Sequence, residues 1–178
     1  IWGKFENYPA VITSEYAVKV YGQGHVVAYN FAADWHDGIT VATYGNPDGT
    51  APDGTPHEIA DRVPVSIDIY NNDIHLMVDD FIEADGGVHN IRVMRNRGVN
   101  AAQCGLSAQP VFGGPAYFIR NVLYHIPVGT ALKFMAKPAG LLVYHNTIVA
   151  ENRNRDPYSN AHFRNNLFLG TDAARNLT

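Results

Sequence analysis

The chain has 178 residues, 46% hydrophobic and 17% charged, with 16 Gly and 10 Pro; this supplies apolar material for one sizeable core and excludes intrinsic disorder and a collagen-like chain. Lys and Arg number 13 against 17 Asp and Glu, a formal charge of -4 with no basic run, which argues against a nucleic-acid partner. No apolar run approaches the ~18 residues of a membrane span, and the single cysteine, Cys104, has no internal disulfide partner.

The chain opens on Ile1 with no charged n-region and apolar h-region ahead of the fold, so a processed chain or a piece of a longer one is expected. The first regular segment is Val18-Lys19-Val20-Tyr21, which alternates apolar and polar residues as strands do. His25 to Asn30 follows and introduces a recurring pattern: apolar, any, apolar, any, any, Asn. Ile39-Thr40-Val41 is a second strand-like run, and then comes an excursion from Tyr44 to about Val63 with two copies of Pro-Asp-Gly-Thr. An excursion of this length between strands is functional or disordered.

From here the two patterns alternate. The asparagine pattern returns at Ile67 to Asn72, Ile91 to Asn96, Ala116 to Asn121, Leu141 to Asn146 and Ala161 to Asn166. Consecutive asparagines are 42, 24, 25, 25 and 20 residues apart. The second pattern returns at Ile82-Glu83-Ala84, Leu106-Ser107-Ala108 and Leu132-Lys133-Phe134, at intervals of 43, 24 and 26. Two patterns holding one period near 25 residues indicate a solenoid, and the absence of helical periodicity makes it all-β. One domain over 1–178 is predicted, with an inserted loop at about 44–63. The tail from Thr171 to Thr178 is short and polar and ends in an Asn176-Leu177-Thr178 sequon; with no helical cap in the sequence, further domains or an oligomer are expected to cover the open coil ends.

Equivalent residues of successive coils stack at the ~4.8 Å strand spacing. With Ile39, Ile82, Leu106 and Leu132 inward, the outward ladder reads Lys19 and Tyr21, Thr40 and Ala42, Glu83 and Asp85, Ser107 and Gln109, and Lys133 and Met135. Just upstream lie Trp35-His36-Asp37-Gly38 and Val78-Asp79-Asp80-Phe81. Asp37, Asp79, Asp80, Glu83 and Asp85 therefore fall within two adjacent coils. Crowded carboxylates raise one another's pKa, which is how one carboxyl is kept protonated as a general acid beside an ionised partner. Glycoside hydrolysis needs that pair; the bland alternative is that Asp and Gly simply make coil corners. Trp35 beside the acids is placed to stack on a sugar ring, and His36 to do acid-base work or bind sugar.

Strands recurring every 20 to 26 residues, with Asn30, Asn72, Asn96, Asn121, Asn146 and Asn166 in a ladder, resemble the coils of a single-stranded right-handed parallel β-helix of the pectate lyase and polygalacturonase superfamily. The resemblance implies about seven coils of ~24 residues and assigns the asparagines a structural role. Trp35-His36-Asp37-Gly38-Ile39, Asp79-Asp80-Phe81-Ile82-Glu83-Ala84, Gln103-Cys104-Gly105 and Ala131-Leu132-Lys133 are similar, in that order, to the polygalacturonase motifs, with Cys104 at the family's histidine position and Ala131 at its arginine position. The likeness implies a secreted or periplasmic hydrolase of a uronate-containing polysaccharide. On that mapping Asp37, Asp79 and Asp80 would be catalytic and Lys133 a contact for the substrate carboxylate; the ladder and its flank add Glu83 to the catalytic set and Trp35, His36, Asp85, Ser107 and Gln109 as substrate-binding. The alternatives are a polysaccharide lyase assisted by Ca²⁺ on Asp79, Asp80 and Asp85, and a non-catalytic glycan-binding or structural module. No cofactor is required, and the expected partner is a polysaccharide rather than nucleic acid or membrane.

Overall fold

The computed structural model describes residues 15–20, 22–42, 63–153 and 156–170. The inserted loop at 44–63, apart from Val63, lies outside them, as do Tyr21 and the sequon in the tail. The described residues contain strands and no helix. In chain order the strands are β1 (Tyr16–Lys19), β2 (Val26–Ala28), β3 (Phe31–Ala33), β4 (Asp37–Thr40), β5 (Val65–Tyr70), β6 (Asp73–Met77), β7 (Ile82–Glu83), β8 (His89–Met94) and β9 (Arg97–Ala101). They continue as β10 (Cys104–Ala108), β11 (Phe112–Ile119), β12 (Val122–Tyr124), β13 (Thr130–Phe134), β14 (Ala139–Tyr144), β15 (Thr147–Val149), β16 (Ser159–Arg164) and β17 (Leu167–Phe168).

Up to β15 every third strand joins the same sheet, and the last described coil adds β16 and β17 to the second and third sheets. The first sheet runs β1-β4-β7-β10-β13, the second β16-β14-β11-β8-β5-β2 and the third β17-β15-β12-β9-β6-β3, and all pairings within them are parallel. This is a parallel β-helix, each coil giving one strand to each sheet. The sheets are five, six and six strands deep among the described residues, so the seven coils expected from the sequence are not all represented there.

The second sheet is the asparagine pattern, and the first is the second pattern in its expected register: Val18 opposite Ile39, Ile39 opposite Ile82, Ile82 opposite Leu106, and Leu106 opposite Leu132. These residues and their counterparts Ile67, Ile69, Ile91, Val93, Phe118, Leu141 and Val143 fill the tube between the sheets. The third sheet starts directly after each asparagine.

The asparagines make the corner between the second and third sheets. Each residue before one lies in the left-handed region: Tyr29, Asn71, Arg95, Arg120, His145 and Asn165 have φ of 60°, 54°, 56°, 57°, 59° and 54°. The chain turns sharply there, and the amide that follows points inward to meet backbone groups the turn leaves unpaired. Asn121 is representative. Its Nδ2 donates to Val93 O at 2.9 Å and to Asn146 Oδ1 at 3.0 Å, while its Oδ1 accepts from Asn96 N at 3.0 Å and Asn96 Nδ2 at 3.1 Å. The same amide-to-amide step links Asn30 to Asn72, Asn72 to Asn96, and Asn146 to Asn166. Arg95 and Arg120 are exposed at this corner and form no ion pair among the described residues.

Close coil packing demands glycine at several points, two of them around Phe81. A Cβ on Gly38 would lie 2.3 Å from Phe81 O, and one on Gly98 would lie 2.4 Å from Phe81 Cδ2. Phe81 thus wedges into the tube immediately beneath the acidic residues.

Candidate functional site

The site is where the chain enters the first sheet. The register that sets Ile39 opposite Ile82 puts Asp37, at the start of β4, beside Asp80, and Asp80 N–H donates to Asp37 Oδ1 at 2.9 Å. Glu83 sits in the outward ladder between Thr40 and Ser107, with Lys133 one coil further on. One oxygen from each of Asp37, Asp80 and Glu83 lies within 4.8 Å of the others. Lys133 Nζ pairs with Asp80 Oδ2 and stands 3.9 Å from Glu83 Oε1.

The cluster is shielded from water. Asp80 is 0% exposed, Asp37 7% and Glu83 8%, and Thr40 and Ser107 are fully buried too. The outward ladder is therefore outward from the core yet withdrawn from solvent. Asp79 Oδ1, Asp80 Oδ1 and Glu83 Oε2 are buried without a hydrogen-bond partner.

Burial sets the protonation. Asp37 is pushed up to about 6, first by desolvation and then by the charge of Glu83; the Asp80 N–H and His36 oppose the shift. Burial also drives Asp80 well above the ordinary carboxylate range, with the Lys133 ammonium opposing it. Burial would lower Lys133, but Asp80 and Asp79 outweigh it, so Lys133 is held firmly protonated. Asp37 and Asp80 thus hold their protons to higher pH than ordinary carboxyls do.

Of the residues expected from the sequence, Asp37, Asp79, Asp80 and Glu83 come together. His36 Nδ1 lies 3.0 Å from Asp37 Oδ2, and Trp35 is exposed at the adjoining corner. Lys133 faces Asp80. Asp85 is fully buried and accepts from Ser107 Oγ at 2.6 Å and from Gln109 N at 2.7 Å, which ties Asp85, Ser107 and Gln109 to one another.

Tyr16 was missed, and Cys104 was placed only by the motif likeness and given no role. Tyr16, opposite Asp37 in register, has its phenol pushed up to about 12 by burial and by Glu83 and Asp37. Cys104 occupies the ladder position of Asp80 one coil on, with a donor atom within 4.8 Å of Asp79 and Asp80. Burial raises the thiol and keeps it neutral. The signal for both was the register: each sits two places before the inward apolar residue of its strand.

Asp37, Asp80 and Glu83, or Asp79, Asp80 and Cys104, are the groups whose donors converge as a cation would require. They fit Ca²⁺ poorly, since that ion takes six to eight oxygen ligands. Lys133 already supplies the positive charge at Asp80, and Asp85 of the expected set is turned to Ser107.

Compared with known proteins, the chain matches no family model, no curated protein and no solved structure.

Proposed function

We propose that this protein hydrolyses glycosidic bonds of an extracellular, uronate-containing polysaccharide, with Asp37 as general acid and Glu83 as the second carboxylate. The observation that carries the reading is the convergence of Asp37, Asp80 and Glu83 within 4.8 Å, with Asp37 raised to about 6. An acid with that pKa is protonated in mildly acidic solution and can donate to the leaving oxygen as the bond breaks. Glu83, with an oxygen within 4.8 Å of one on Asp37, supplies the second carboxylate that glycoside hydrolysis needs. Lys133 offsets the charge of Asp80, and His36 orients Asp37. The resemblance to the polygalacturonases supplies the substrate class and the extracellular location.

A lyase needs a base to take the C5 proton. Lys133, the cation nearest the cluster, is held protonated by its carboxylates and suits that task badly. The non-catalytic module is the second reading, favoured by the complete burial of Asp80 and by the Asp85–Ser107 hydrogen bond, both of which a coil corner could use without substrate.

Product release from plant, algal and bacterial polysaccharides separates the three. New reducing ends without ultraviolet absorbance of unsaturated uronates support hydrolysis, and absorbance moves the assignment to a lyase. A folded protein silent across the panel, with and without Ca²⁺, makes the module reading correct.

A further inference from the structure

We infer that Asp79, Asp80 and Cys104 form a binding site for one thiophilic divalent cation of the zinc class, at the corner where Asp79 and Asp80 lead into β7 and Cys104 opens β10. One oxygen from each aspartate and the Cys104 sulfur lie within 4.8 Å of one another. Donors around a single zinc ion, each ~2.0 to 2.3 Å from the metal, stand about 3.5 Å apart, so small side-chain rotations close the three onto one ion.

Unanswered oxygens point to a ligand at this corner. Asp80 is 0% exposed and its Oδ1 has no hydrogen-bond partner; Asp79 Oδ1 is buried and equally without one. A buried carboxylate oxygen left unpaired is costly, and a cation would answer both. Lys133 takes Asp80 Oδ2 and leaves Oδ1 for the metal, an arrangement in which an outer partner orients a ligating carboxylate. The backbone fixes the spacing: Cys104 N donates to Asp79 O at 3.2 Å, Asp80 N donates to Asp37 Oδ1 at 2.9 Å, and Cys104 pairs with Thr130 in the parallel ladder. Ligands held this way need little ordering on binding. Asp79 is the half-buried member, so the metal enters on its side and a water can take the fourth position there.

The donor set selects the metal. A thiolate is a soft ligand that suits zinc, whereas Ca²⁺ and Mg²⁺ take oxygen ligands in larger number. Three protein donors and one open position match the tetrahedral habit of zinc. Binding releases the Cys104 thiol proton to solvent, after which three anionic donors face a dication and the Lys133 ammonium, and the charges balance. The inference stands apart from hydrolysis, because Asp37 and Glu83, the proposed acid and second carboxylate, are not among the ligands.

Cobalt(II) occupies zinc sites and reports thiolate ligation by a near-ultraviolet charge-transfer band, so its titration into the full chain, kept reduced with a phosphine, tests the proposal. One equivalent should bind with the band, and zinc should displace it. Cys104→Ser should abolish the band, and Asp79→Asn should weaken cobalt binding at least about tenfold, both variants being checked for folding by circular dichroism. Asp73→Asn, a carboxylate of the third sheet, should change neither affinity nor band, and a large excess of Ca²⁺ should not displace cobalt. Absence of the band, a band that survives Cys104→Ser, affinity indifferent to Asp79→Asn, or displacement by Ca²⁺ would overturn the site. Asp79→Asn alters a half-buried side chain and keeps the backbone oxygen that accepts from Cys104 N, so it decides the matter even should Cys104→Ser fail to fold.

Discussion

Replacing Asp37 by Asn should stabilise the protein above pH 6 while removing the proposed acid. Asp37 is 7% exposed, and its pKa rises from the ordinary 3.8 to about 6 because burial and Glu83 both disfavour its charge. The folded state thus binds this proton more tightly than the unfolded chain, so the contribution of Asp37 to stability is greatest below pH 4, falls as pH rises through 6, and is level beyond. At ~1.36 kcal/mol per pKa unit, the loss between those limits is about 3 kcal/mol. Asn keeps an oxygen that can accept the Asp80 N–H and carries no charge to desolvate. Urea denaturation of both proteins from pH 4 to 8 checks this. The variant should gain on the wild type by about 3 kcal/mol across the series, most of it between pH 4 and 6. Parallel curves, or a variant that loses ground as pH rises, would refute the electrostatic account of the cluster.

Other consequences follow from the same geometry. Lys133→Met removes the ammonium that pairs with the buried Asp80 carboxylate and should cost about 3 to 5 kcal/mol where that carboxylate is charged; burial raises the Asp80 pKa, so the deficit should shrink as pH falls, as a series of urea titrations would show. Asn121→Ala removes a fully buried amide with four hydrogen bonds and should cost about 3 kcal/mol in chemical denaturation, against about 1 for Asn30→Ala at the exposed end. Gly98→Ala, whose Cβ would meet the Phe81 ring at 2.4 Å, should cost about 1 to 3 kcal/mol, with Phe81→Leu recovering part of it in the double variant. If Asp37 is the general acid, any hydrolysis should fall as pH rises past about 6, the value at which it loses its proton.

Much of the fold was legible because a solenoid writes its period into the chain. The asparagine spacing located the second sheet, and the Ile39, Ile82, Leu106 and Leu132 repeat fixed the register of the first to the residue. The third sheet was not legible, since strands such as Phe31–Ala33 and Val122–Tyr124 are three residues long and too short to show an alternation. Convergence of Asp37, Asp79, Asp80 and Glu83 followed from the same register. Their surroundings did not: sequence placed Thr40, Glu83 and Ser107 on an outward face without revealing that the face is buried. Asp85 looked like a fifth free carboxylate, but a two-residue step along the ladder carries it to the hydroxyl of Ser107. Lys133, read as a contact for substrate, has the reach to cross two coils to Asp80. Side-chain length and burial decide such pairings, and neither has a period.

The proposed hydrolysis requires that the buried carboxylates break a glycosidic bond. Reducing-end release at pH 5 from the polysaccharide panel decides this, comparing the wild type with Asp37→Asn and Glu83→Gln, each verified as folded by circular dichroism. The wild type should release reducing ends and each variant should lose at least about 100-fold, the contribution of a placed general acid or its partner carboxylate. Equal rates in all three proteins, or no release by a folded wild type, would contradict it.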